Sequence, residues 1–80
     1  MNICEAVALR IRDLLKERNI TLYRLEQNSL IQHGSMFNIV NAKNKNITLK
    51  TVMQIAYGFK MSLLEFLDDP VFTNEGLEIY

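Results

Sequence analysis

Apolar residues return every three or four positions along most of this 80-residue chain, and one proline and three glycines are all that interrupt them. That spacing puts side chains on one face of a helix, whereas a half-buried strand would alternate them. The chain is therefore predicted to be all-α, and its length suits a single domain. Ile3, Ala6, Val7, Ile11, Leu14 and Leu15 form the first stripe. Asn2 and Glu5 make a capping-box-like start before it, so a helix is predicted over Ile3–Arg18, broken at Asn19. Thr21 is a good N-cap for a short helix over residues 22–28, with Leu22 and Leu25 as its apolar positions. A third helix is predicted over residues 32–41, with Gln32 as a weak cap. Thr48 caps a fourth, on which Leu49, Val52, Ile55, Ala56 and Phe59 repeat, and Gly58 is its expected C-terminal stop. Ser62 and Glu65 form a second capping box and open a fifth helix through Leu67, which Asp68, Asp69 and Pro70 end. Met36 and Met53 read as core filler.

The third helix has two unlike faces. Met36, Ile39 and Val40 make an apolar stripe, while His33, Gly34, Phe37, Asn38 and Asn41 fall on the other side. That second side has no acid and no lysine. It offers an imidazole and two amides, groups that hydrogen-bond to base edges. Asn38 suits bidentate pairing with adenine, Phe37 suits a thymine methyl, and Gly34 lets a partner approach the helix backbone. His33, Gly34, Phe37 and Asn38 are thus candidate base-contacting residues. The loop that follows carries Lys43, Asn44 and Lys45, and Lys50 opens the fourth helix. Lysine and asparagine donate to phosphate oxygens without reading sequence.

Charge is unevenly spread. Residues 1–60 hold nine basic and four acidic residues, a net of +5, and residues 61–80 hold five acids and no base, a net of −5. The sequence divides on this basis into a body, residues 1–69, and an acidic, apolar tail, residues 70–80, which includes Val71, Phe72, Leu77, Ile79 and Tyr80. The single cysteine, Cys4, excludes an internal disulfide and a cysteine-based zinc site. Neither a metal site nor a cofactor or small-molecule site is evident. No run of apolar residues approaches the roughly 20 needed to span a membrane, and a soluble cytoplasmic protein is expected. No phosphate-binding glycine loop and no nucleophile–base set at a known spacing is present, so no enzyme is expected.

The order of these features resembles the Cro/cI-type (XRE-type) helix-turn-helix regulators. The resemblance covers about residues 11–67. It is carried best by Asn41-Ala42-Lys43, by Ile47-Thr48-Leu49-Lys50-Thr51-Val52, and by the run from Ile55 to Phe66. It implies a compact five-helix, lambda-repressor-like domain that binds double-stranded operator DNA as a homodimer, with the third helix in the major groove. Family base-contacting positions match His33, Gly34 and Asn38, with Phe37 beside them. Phosphate-contacting positions in the loop match Lys43 and Asn44. The glutamine that many members place at the start of the second helix is Leu22 here, so Thr21, Tyr23 and free N–H groups are expected to take over that phosphate contact.

Three further departures matter. The family's small residue after the second helix's leucine is Glu26, and the glycine of the turn is Leu30; both threaten the tight approach of the second and third helices. A buried arginine–glutamate pair of many members is replaced by Leu15 and Val40. Losing one partner would strand a charge at a cost of about 3–5 kcal/mol, whereas replacing both is often neutral, so these two are expected to pack together. The rival reading is a protein-interaction module on the same fold that has lost DNA binding, as Leu22 and Glu26 would then reflect, and that binds through Phe37 and the tail. It requires an apolar patch around Phe37 and scattered lysines.

Overall fold

The computed structural model describes residues 1–73 and 75–79; Tyr80, counted above with the tail, lies outside them. Five α-helices follow in order: α1 (Ile3–Arg18), α2 (Leu22–Ser29), α3 (His33–Val40), α4 (Leu49–Gly58) and α5 (Leu63–Leu67), then a 3-10 turn over Pro70–Phe72. No strand occurs among the described residues. The starts are set by local chemistry. Asn2 Oδ1 accepts from the Glu5 N–H and the Glu5 carboxylate accepts from the Asn2 N–H, each at 2.9 Å. Thr21 and Thr48 cap α2 and α4 through their hydroxyls. Ser62 and Glu65 form the second reciprocal box. There the Ser62 N–H, then its hydroxyl, and last the Arg18 charge hold the Glu65 carboxyl below the usual carboxylate range. Gln32 supplies extended backbone ahead of α3 but no side-chain cap.

The core joins Val7, Ile11 and Leu14 of α1, Leu25 of α2, Met36, Ile39 and Val40 of α3, Val52 and Ile55 of α4, and Phe59 and Phe66. Val40 lies in this cluster and Leu15 packs against it half-buried, so neither member of the replaced ion pair faces solvent. Two expectations fail on α4. Leu49 is 64% and Met53 50% exposed. The buried stripe runs through Val52, Ile55 and Ala56, and Met53 is rotated from Val52 by about 100°. Leu49, Met53 and Tyr57 therefore form a solvent-facing stripe at i, i+4 and i+8.

The helix exits run against glycine preference. Asn19, Leu30, Ala42 and Lys60 all stand at positive φ, between 52° and 60°, and no glycine does. Leu30 closes α2 in the left-handed region, which lets Ile31 N–H reach Glu26 O at 3.3 Å, and its side chain is 84% exposed. The tight turn survives the loss of glycine at an energetic cost of about 1–2 kcal/mol. α4 ends at Gly58 as expected, and Gly58 has a second task. A Cβ there would lie 3.0 Å from Leu25 Cδ1 and Ser29 Cβ and 3.2 Å from Ser29 N. It is a point of contact between α4 and α2, and the left-handed residue after α4 is Lys60.

The tail returns to α1. Phe72 packs against the core and its ring lies 6.0 Å from that of Phe66. Further on, the Glu78 N–H donates to Met1 O at 2.9 Å.

These two positions have opposite expected responses. Leu30→Gly should raise stability by about 1 kcal/mol by removing left-handed strain without uncovering core. Gly58→Ala should lower it by about 1–2 kcal/mol, because the clash with α2 outweighs the gain in helix propensity. Urea midpoints at unchanged slope read both.

Candidate nucleic-acid interface

His33, Gly34, Phe37 and Asn38 are all exposed on α3, opposite the buried Met36, Ile39 and Val40. The structure divides them into two groups. Asn38 borders an open cleft between α3 and the start of α4, shared with Gln32, Ser35, Asn44, Asn46, Thr48 and Thr51. The cleft has hydroxyls and amides and no carboxylate among its lining residues. Asn38 and Asn44, expected to serve bases and phosphate respectively, thus line one surface. Ser35, Asn46 and Thr51 were not singled out by sequence, although Ser35 stands three positions before Asn38 on the same helix.

Phe37 and His33 have partners of their own. The Lys43 ammonium lies over the Phe37 ring, 4.8 Å from its centroid, so the loop lysine covers part of this 44%-exposed aromatic. The His33 Nδ1 lies 2.8 Å from Glu26 Oε2. The ring is 76% exposed while the Glu26 side chain is 9% exposed. A buried carboxylate is tolerated when it is paired, and His33 supplies that pairing across the turn. Glu26 therefore does not push α2 and α3 apart. It occupies the gap and ties α3 to α2. Sequence reading weighed Glu26 only as a steric intrusion; its partner seven positions on, the sole histidine, was the available signal.

The expected phosphate-contacting residues are accessible. Thr21, Tyr23, Lys43, Asn44, Lys45 and Lys50 are all exposed. Thr21 Oγ1 accepts from the Arg24 N–H at 3.1 Å and Tyr23 OH accepts from Gln27 at 3.0 Å. Each hydroxyl keeps its own hydrogen to donate. Among the described residues, Lys43, Lys45 and Lys50 take part in no salt bridge.

The arginines of α1 are placed otherwise. Arg12 Nη2 donates to Val40 O, the last residue of α3, at 2.6 Å. Arg18 donates to Phe59 O at the end of α4. Arg10 donates to Phe66 O at 2.8 Å and Glu65 O at 3.0 Å on α5, and pairs with Asp69 at 3.0 Å. A helix leaves its last carbonyls without intrahelical donors, and guanidinium groups fill that role here. Three cations of the basic body are thereby committed to holding the fold.

Arg12→Met should cost about 1–3 kcal/mol, since it removes a charged hydrogen bond to a carbonyl at the end of α3. Thermal and urea unfolding measure the loss, and amide exchange should speed up first at Asn41 and Ala42.

No curated protein and no solved structure matches the chain. The sequence profile of the Cro/C1-type HTH DNA-binding domain matches residues 10–70. That span takes in α2, the turn at Leu30 and α3, together with α4 and α5 that buttress them. The chain belongs to the Cro/C1-type helix-turn-helix DNA-binding domain family.

Proposed function

We propose that the chain is a small transcriptional regulator of repressor type that binds a specific operator in double-stranded DNA, with α3 in the major groove and two copies on paired half-sites. The observation that carries this reading is the exposed polar face of α3, with Lys43 of the following loop lying over Phe37. An acid-free polar helix face offers hydrogen bonds to base edges, and Lys43, Lys45 and Lys50 are exposed and take part in no salt bridge among the described residues. Gly34 supports it independently. A Cβ at this position would meet nothing within 4 Å. Glycine in a helix costs about 1 kcal/mol relative to alanine, and no packing within the chain requires it here. Close approach by an external partner gives it a reason. His33, Phe37 and Asn38 then face bases, while Thr21, Tyr23, Asn44 and the three lysines face phosphates.

The rival protein-binding reading needs a bare apolar patch around Phe37. Lys43 over that ring weakens it. The second copy of the chain is the partner expected for the dimer, and the exposed Leu49, Met53 and Tyr57 stripe is apolar surface available to it.

Selection from a random duplex library should enrich a two-fold symmetric site. If all three lysines contact phosphate, they contribute about −2.7 per monomer to the slope of log affinity against log salt, and Lys45→Ala should reduce that by about 0.9. Failure to enrich any site, or binding indifferent to salt, would overturn the proposal. Gly34→Ala should raise the melting temperature and weaken operator binding; equal affinity would remove its assigned role.

A further inference from the structure

We infer that Glu26 is a positioning residue that fixes the tautomer of His33 and so sets which bases His33 accepts. The inference rests on the DNA-binding reading above and concerns a contact across the α2–α3 junction, between Glu26 and a histidine seven positions further on. The contact is short, 2.8 Å from Nδ1 to Glu26 Oε2, and one-sided, with the acid buried and the ring exposed. An ionised carboxylate only accepts hydrogen bonds. Against a carboxylate, the contact is a hydrogen bond when Nδ1 carries the proton, and we assign His33 that tautomer. A neutral imidazole has one N–H, so Nε2 is left as a lone-pair acceptor at the far edge of the ring. Among the described residues Nε2 has no hydrogen-bond partner, and it belongs to a side chain in the first turn of α3.

An acceptor in the major groove pairs with amino donors. Cytosine N4 and adenine N6 present them, while guanine O6 and N7 and thymine O4 are acceptors and are rejected. The pair thus makes the neutral His33 a reader of amino-bearing bases, cytosine or adenine, at one position of each half-site. A histidine free of Glu26 would present either nitrogen as donor or acceptor, and its preference would be mixed.

Glu26→Gln is the informative change, because glutamine keeps the shape but offers an N–H₂ donor as well as an acceptor, so either imidazole tautomer is accommodated. Nitrogen-15 spectra of the imidazole in the free protein, in mildly alkaline buffer, should show the Nδ1–H tautomer in the wild type and a mixture in Glu26→Gln. An Nε2–H wild type would overturn the positioning contact whether or not DNA binds. Library selection in the same buffer should enrich cytosine or adenine at one half-site position for the wild type, with that preference falling about tenfold in Glu26→Gln and the other positions unchanged. An unaltered preference in the variant would overturn the inference. The double variant Glu26→Gln/His33→Ala, which leaves no buried carboxylate unpaired, should lose preference at that same position alone; loss at a different position would also overturn it. A wild type that selects no site removes the DNA reading and the base preference with it, while the tautomer spectra judge the Glu26 contact separately.

Discussion

The fold hangs on guanidinium groups of α1 reaching the carbonyl ends of later helices. Arg12 meets the end of α3, Arg18 the end of α4, and Arg10 the carbonyls of α5. The need is acute because these helices are short, with eight, ten and five residues. Isolated helices below about 12–15 residues are marginal in water, and a larger share of their carbonyls lies in the unsatisfied last turn. The sixteen-residue α1 supplies the apolar stripe that α3 packs on and the donors that finish all three. Arg12 also explains how α3 keeps its register without the buried ion pair that many family members use. Leu15 and Val40 replace that pair with apolar packing, and the polar tie moves to the backbone oxygen of Val40.

The helix-turn-helix is tightened by a second set of compensations. Leu30 takes up the left-handed conformation that glycine would adopt without strain, and the neighbouring Glu26 turns its bulk into a link to His33. Each departure taken alone counts against a close α2–α3 junction. In the folded chain the carboxylate fills the space and finds a donor on α3, and Leu30 leaves its side chain in solvent where it displaces nothing. The approach of backbones that glycine usually permits occurs elsewhere, where Gly58 on α4 meets Leu25 and Ser29 of α2.

The five helices were legible because their starts are local. Thr21, Thr48, the two capping boxes and the stripes of three- and four-residue spacing act within a few positions, and the observed bounds differ from expectation by Ser29, gained by α2, and by one residue at each end of α3. The outward residues of α3 were legible for the same reason, since Met36, Ile39 and Val40 define the inward face. What could not be read depended on distant pairing. Nothing local distinguishes Arg10, Arg12 and Arg18 as donors to helix ends from lysines left for solvent. Met53 and Leu49 were misplaced because α4 has more apolar residues than its buried stripe can hold. The role of Gly58 depended on which residues of α2 lie against it, and that of Glu26 on the geometry of a turn whose usual glycine is missing.

Zero net charge is a poor guide to what this surface attracts. At physiological salt, charges more than about 8 Å apart are largely screened, so local pairing decides the field. Asp69 is paired with Arg10, which places this acid against a group already serving the fold. Among the described residues, the lysines after α3 have no acid within ion-pair distance. A chain whose positive and negative charges balance in sum can therefore still present a cationic edge beside an uncharged, hydrogen-bonding helix. On the proposed reading, that combination would separate two tasks: the lysines would supply affinity that depends on salt, and the amides and imidazole discrimination that does not. The three arginines of α1 that a tally of charge would count with those lysines are engaged instead by the carbonyls they cap.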